Sequence, residues 1–406
     1  MNIGYCKFTM NIELNYANAK LGNAESRATL LRALIGHGHK ITIYSQVKKQ
    51  DEELLMSKKK IEPVNSIDLD WIRHIKYKPD KPVDTNTDLL FVETGPDNLT
   101  FRTKFNNREP FIRRCANILN SYQGIVFFLN TDPDLPFPIH KMAHCKYPYL
   151  HKKNVYRNGA GSHPDHGWAD PKEILKDKKL IFFNQAYNQK AYNALYDRSR
   201  SRIQELGYES HMLPVVYDKA LVPLRQLQKP FPAPYGIVYI GYPRKREKLF
   251  EKFVMGVNIN GNPPRTWGPW DKKTNYNFKE RAIFAGVNIG PFLDNYYQCC
   301  YRYYQATCTI VLASDKSRKC GVITHRTLES IHSGCLTFGI KDHSHITEYI
   351  DEEFLVDSKN DLIRKISKYS DRNKYFEALE KQRNKIDKYN GKMAVRYFMK
   401  KLMEAR

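Results

Sequence analysis

Short apolar runs separated by longer amphipathic stretches recur along the whole 406-residue chain. This alternation builds parallel sheets covered by helices on both faces. In the first half, strands are predicted at residues 3–6, 40–44, 89–92, 125–129, 180–183 and 212–216. Between the first two, Leu30, Leu31, Leu34 and Ile35 repeat on one face of a helix that starts near Asn23, a good N-cap, and stops at Gly36 and Gly38. Residues 217–236 carry Pro223, Pro230, Pro232 and Pro234, a density that forbids regular structure and marks a stiff connection. Beyond it the alternation resumes, with strands predicted at 237–240, 257–259, 282–285, 309–312, 336–338 and 354–356. The expectation is an α/β protein of two doubly wound halves, residues 1–216 and 237–406, facing a ligand-binding cleft. Residues 138–168 fit neither half and read as a polar insertion.

Composition narrows the class. An apolar fraction of 41% and a charged fraction of 27% suit a folded chain rather than extended disorder. Eight cysteines are scattered without the paired spacing of a zinc site or disulfide framework. No apolar run approaches membrane-spanning length, and Met1 to Phe8 reads as a strand rather than an export signal. The expectation is a protein of a reducing cytoplasm with no membrane partner. The formal charge of +23, from 66 Lys and Arg against 43 Asp and Glu, attracts polyanions and makes nucleic acid the natural partner. A solvated Lys-rich surface is the plainer explanation of the same excess.

Three segments carry candidate chemistry. The predicted strand at 237–240 ends at Gly241, and a basic turn with Arg244 and Arg246 then leads into a helix. Free N–H groups and the positive end of a helix dipole favour a phosphate there; an ordinary surface cluster has equal weight. In Thr324-His325-Arg326-Thr327-Leu328-Glu329 the cation and carboxylate are three apart, on one helical face. Such a pair can hold a phosphate and a ribose together, or be a surface ion pair and no more. The run Thr131-Asp132-Pro133-Asp134-Leu135-Pro136-Phe137 follows the strand at 125–129 directly, so Asp132 or Asp134 would stand at the carboxyl edge of the first sheet, where a general base belongs. Its prolines also suit a merely rigid loop.

Taken in order, these three segments resemble the DNA β-glucosyltransferases of T-even bacteriophages, enzymes of the two-Rossmann-domain GT-B architecture. The resemblance covers most of the chain, including Tyr349 to Asp357. It implies an inverting transfer from a UDP-sugar to the hydroxymethyl group of a modified base, 5-hydroxymethylcytosine first, in duplex DNA. By the same resemblance Asp132 is the base, Gly241, Arg244 and Arg246 hold the diphosphate, and Arg326 and Glu329 take phosphate and ribose. The last helix is expected to pack back on the first domain. The chain departs from the family in its longer insertion and in its Tyr242-Pro243-Arg244-Lys245-Arg246 turn, which leaves the sugar open between glucose and arabinose and brings phage arabinosyltransferases in as relatives. A divalent ion, Mg or Mn, could assist, but no metal site is required.

The loop from Gly95 to Lys104 carries Asn98, Phe101 and Arg102, side chains suited to wedge and clamp DNA with Asp134 nearby; an ordinary surface loop explains them equally. His140, His144, Cys145, His151, His163 and His166 cluster in the insertion, but their spacing matches no metal motif. A monomer in the cytoplasm of an infected bacterial host is the expected setting. Two other readings remain, a GT-B transferase acting on a cell-surface glycan or protein, and a catalytically silent DNA-binding module.

Overall fold

The computed structural model describes residues 1–7, 11–15, 24–64, 67–94, 118–119, 121–130, 179–186, 193, 209–219, 222, 228–241, 246–270, 276–293, 295–319, 321 and 323–405. Two parallel sheets organise them. The first has seven strands in the order β3-β2-β1-β4-β5-β6-β7 and the second six in the order β10-β9-β8-β11-β12-β13. In the first sheet these are β1 (Asn2–Lys7), β2 (Lys40–Ile43), β3 (Ile75–Tyr77), β4 (Leu89–Thr94), β5 (Ile125–Asn130), β6 (Leu180–Ala186) and β7 (Glu209–Pro214). In the second they are β8 (Tyr235–Ile240), β9 (Arg265–Trp267), β10 (Asn288–Gly290), β11 (Ala306–Ile310), β12 (Leu336–Ile340) and β13 (Leu355–Val356). Both orders are doubly wound, reversing direction between β1 and β4 and between β8 and β11.

The central strands are apolar on both faces because helices cover both faces. Leu89 to Val92 and Val126 to Phe128 are almost wholly buried, and registers such as Phe91 opposite Phe127 and Phe127 opposite Ile181 align their side chains across the sheet. On one face Phe91, Phe127 and Phe183 surround Phe398 with ring centroids 5.2, 6.0 and 5.0 Å away. Phe398 belongs to the Gly391–Ala405 helix, which lies against the Ala24–Gly36 helix of the first half. They cross where Gly391 has no side chain; a Cβ there would stand 2.6 Å from that of Ala33. The connection between halves is tied down on both sides: Tyr217 N–H donates to the Tyr389 carbonyl, Asp218 N–H to Thr29 Oγ1, and Arg32 pairs with Asp218 at 2.5 Å. Further along, the buried ammonium of Lys229 donates to the carbonyls of Tyr304 and Ala306, both at 2.7 Å.

The sheets differ from the sequence expectation at their edges. The strand β3 was not expected, because Ile75-Lys76-Tyr77 is too short and polar to signal one. The last strand of the first sheet lies a few residues earlier than 212–216. Residues 257–259 are a connecting segment whose Ile259 makes only an isolated bridge to Asn262, and the strand is Arg265–Trp267. Residues 282–285 are not a strand but the end of the Tyr276–Phe284 helix, with Ala282 buried while Ile283 and Phe284 are exposed. A short apolar run has no readable period, so helix and strand look alike there.

Candidate functional site

The reversal between β8 and β11 sends their following loops apart and opens a crevice at the carboxyl ends of the strands. A cavity of about 210 Å³ lies there, lined by Tyr239, Ile240 and Gly241 from the end of β8, Thr309 to Leu312 from the end of β11 and the residues after it, and Arg246, Tyr303, Thr324, Arg326 and Ser330. Three residues picked out by sequence, Gly241, Arg246 and Arg326, thus come together on one cavity although up to 85 positions separate them in the chain.

Each is held in place. Gly241 has φ +156, a backbone that L side chains rarely adopt, and its N–H donates to the Trp267 carbonyl at 2.9 Å. Arg246 occupies the N-cap position of the Glu247–Phe253 helix. Beneath it the hydroxyl of buried Tyr239 accepts a hydrogen bond from Arg246; burial raises the pKa of that phenol, and the Arg246 charge works against the rise. Arg326 lies in the first turn of the His325–His332 helix, whose N-cap Thr324 makes no side-chain cap hydrogen bond. Its Nη1 donates to Glu329 Oε2 at 2.5 Å and to Cys299 Sγ. Burial opposes the Arg326 charge, but Cys299 and Glu329 outweigh it and hold its pKa well above the ordinary value. Burial, helped by Arg326, pushes the neighbouring His325 down to about 4, so its imidazole is neutral at physiological pH.

Glu329 is 3% exposed and turned onto Arg326 rather than lining the cavity. The described cavity therefore presents two guanidinium groups and a helix N-terminus, with no carboxylate in its lining. That combination suits a phosphorylated ligand. Arg244, Asp132, Asp134, Asn98, Phe101 and Arg102 lie outside the described residues, as does the 138–168 insertion.

The reversal of the first sheet carries a group that sequence reasoning missed. Glu93 at the end of β4 is fully buried and takes a bidentate pair from Arg27, with Nε–Oε2 and Nη2–Oε1 both 2.5 Å. Tyr5 donates to Oε2 at 2.5 Å, and Lys7 Nζ lies 4.0 Å from Oε1. Burial alone would raise the Glu93 pKa, but Arg27 and Lys7 bring it down to about 2. Arg27 also donates to the Glu13 carbonyl, fixing the segment after β1 to the sheet edge. The signal was legible: Glu93 follows Leu89 to Val92 directly, and Arg27 precedes Leu30, Leu31 and Leu34 on a buried helical face. Among the described residues no group of three or more His, Cys, Asp or Glu could hold a metal ion, and no helix is long and apolar enough to cross a membrane.

No protein-family model matches the sequence, and no curated protein sequence matches it either. Solved structures do. T4 phage β-glucosyltransferase in complex with UDP and Mn2+ superposes with a TM-score of 0.62 at 16% identity, over 100% of this chain and 99% of that one. The DNA-modifying β-glucosyltransferase solved in the presence and absence of uridine diphosphoglucose gives 0.61 at 16% identity over the full length of both chains. AviGT4, a glycosyltransferase of avilamycin A biosynthesis, gives 0.52 at 8% identity over 99% of this chain and 97% of that one. With sheet orders, crevice and end-to-end superposition in agreement, the chain has the GT-B fold of two Rossmann-like domains that T4 phage β-glucosyltransferase also has.

Proposed function

We propose that this protein is an inverting, UDP-sugar-dependent glycosyltransferase whose acceptor is the hydroxymethyl group of a modified base, 5-hydroxymethylcytosine first, in duplex DNA. The observation that carries the donor half is the cavity at the β8/β11 reversal, where Gly241, Arg246, Arg326 and the Thr324 helix start converge. A UDP diphosphate placed there meets two cations and helix N–H groups. The same groups would stabilise the charge that collects on the β-phosphate as the sugar leaves.

The acceptor half rests on the Thr131 to Phe137 run, on the +23 charge and on the fold shared with a DNA-modifying enzyme. Asp132 takes the proton of the attacking hydroxyl while the C1–O bond to UDP breaks, and attack from the opposite face inverts the anomeric centre. A base stacked in duplex cannot reach such a site, so the nucleotide is extruded, at a cost of a few kcal/mol offset by phosphate contacts. Asn98, Phe101, Arg102 and Asp134 are proposed on the acceptor side. Among the described residues no carboxylate lines the cavity; a divalent ion, Mg or Mn, would help neutralise the charge on the departing UDP. The setting that supplies such DNA is the cytoplasm of an infected bacterium.

The test is mass spectrometry of nucleosides from hydroxymethylcytosine and hydroxymethyluracil DNA incubated with UDP-glucose, UDP-arabinose and other common UDP-sugars. The expected result is an added hexose or pentose with the wild type and none with Asp132→Asn, which keeps its UDP affinity in calorimetry; Asp134→Asn is milder. Unmodified duplex is expected to bind without being modified, with affinity falling steeply as salt rises. No product on any DNA, together with no duplex binding at low salt, rejects the DNA acceptor and leaves the glycan acceptor in its place. An active Asp132→Asn rejects the assignment of the base.

A further inference from the structure

Beside the cavity, at Arg326, two helices meet. The Tyr296–Tyr304 helix presents Cys299 and Tyr303, four apart and both buried, to the face of the His325–His332 helix that carries Arg326 and Glu329. Arg326 Nη1 donates to both Cys299 Sγ and Glu329 Oε2, and the sulfur lies 3.9 Å from that oxygen. Cys299 is fully buried and Glu329 nearly so, whereas the Arg326 side chain is 27% exposed and lines the cavity.

A single contact to Glu329 would leave the guanidinium free to pivot about the Nη1–Oε2 line. A second acceptor on the same nitrogen removes that freedom. Resting on the donor-site reading above, we infer that Cys299 is a positioning residue: with Glu329 it fixes the Arg326 guanidinium so that its remaining N–H groups are oriented toward the nucleotide diphosphate before it arrives. An arginine side chain otherwise gives up rotamer entropy when it is ordered by a ligand. Sulfur also suits the place chemically. A thiol sulfur accepts more weakly than a carboxylate oxygen, whereas a second carboxylate would cancel more of the attraction that the site exerts on the diphosphate.

The experiment measures UDP binding by calorimetry in the full chain for the wild type, Cys299→Ala, Cys299→Ser, Arg326→Ala and the Cys299→Ala/Arg326→Ala pair, with UDP-sugar KM and kcat for each active variant. Cys299→Ala is expected to weaken UDP binding about fivefold, the worth of one net hydrogen bond of about 1 kcal/mol. KM rises by the same factor with kcat nearly unchanged, and Cys299→Ser, whose hydroxyl also accepts, recovers most of the loss. In the Arg326→Ala background the added Cys299→Ala substitution costs nothing, because its effect passes through Arg326. Wild-type UDP affinity in Cys299→Ala, or an equal loss in both backgrounds, overturns the inference. If Arg326→Ala itself binds UDP normally, it is the donor-site reading that fails. Should Cys299→Ala melt too low to assay, Cys299→Val, which fills the space but accepts nothing, takes its place in the same cycle: a loss that vanishes in the Arg326→Ala background supports the inference, and wild-type affinity or an equal loss with and without Arg326 overturns it.

Discussion

Gly268 is packed so closely on Gly241 that a Cβ added to it would stand 2.1 Å from the Gly241 carbonyl oxygen. Gly268 follows β9 and Gly241 follows β8, so the two loop starts share one narrow space beside the cavity. Gly268→Ala is therefore expected to push the Gly241 peptide toward the phosphate position. UDP affinity should fall by about tenfold or more, equivalent to about 1.4 kcal/mol, with a stability loss of about 1–3 kcal/mol from overpacking. Calorimetry with UDP and a thermal melt check the two parts separately. Unchanged UDP affinity would show that the loop yields elsewhere.

Glu93 sets an acid limit on the first sheet. Its folded pKa of about 2 lies below its ordinary 4.5, so its ion pair stabilises fully above about pH 4.5, and that contribution is lost as pH falls toward 2. Glu93→Gln removes this segment of the pH dependence and leaves Arg27 buried beside a neutral amide. At neutral pH that should cost about 3–5 kcal/mol. Denaturant unfolding at a series of pH values measures both, and equal stability of variant and wild type at pH 7 would show that Arg27 finds another partner.

A second acid-sensitive group lies between the halves. His332 stacks on Tyr217 with ring centroids 5.4 Å apart and planes at 12°, and burial, helped by Arg383, lowers its pKa from 6.5 to about 3. A depressed histidine binds its proton in the unfolded chain first, so stability falls as pH drops from 6.5 toward 3. His332→Phe keeps the stack and should flatten this stretch of the curve. Persistence of the same slope in the variant would assign it to other groups.

Phe398 fills the aromatic face of the first sheet from the far end of the chain. Phe398→Ala should cost about 3–5 kcal/mol. Amide exchange should show the loss in β4, β5 and β6, far from residue 398 in sequence. If exchange quickens only within the Gly391–Ala405 helix, the helix contributes less to the sheet than its contacts indicate.

The central strands were legible because a parallel strand buried on both faces is a run of apolar residues with turns at its ends, as Leu89 to Val92 and Ile125 to Leu129 show. The edge strands were not. Arg265-Thr266-Trp267 is short and carries little apolar signal, while Ala282 to Ala285 has that signal and is a helix end. Gly241, Arg246 and Arg326 could be picked out because charge beside a strand end or helix start has a chemical reading from sequence alone. Gly268, Cys299 and Tyr239 could not: each matters through a neighbour distant in the chain, and nothing local announces a close approach or a second acceptor behind an arginine.

The packing of Phe398 also bears on how the molecule is made. The strands of the first sheet are all synthesised by Pro214, yet the helix that covers Phe91, Phe127 and Phe183 comes about 180 residues later. At about 5–20 residues per second a ribosome needs roughly 10–40 s to cover that interval. During that time the first half has its strands but not its last layer, and an aromatic surface that the finished protein hides is open to solvent and to chaperones. Completion of the amino-terminal half thus waits for a helix that follows the second half, and a fragment ending at the interdomain connection would lack the side chain that closes its own core.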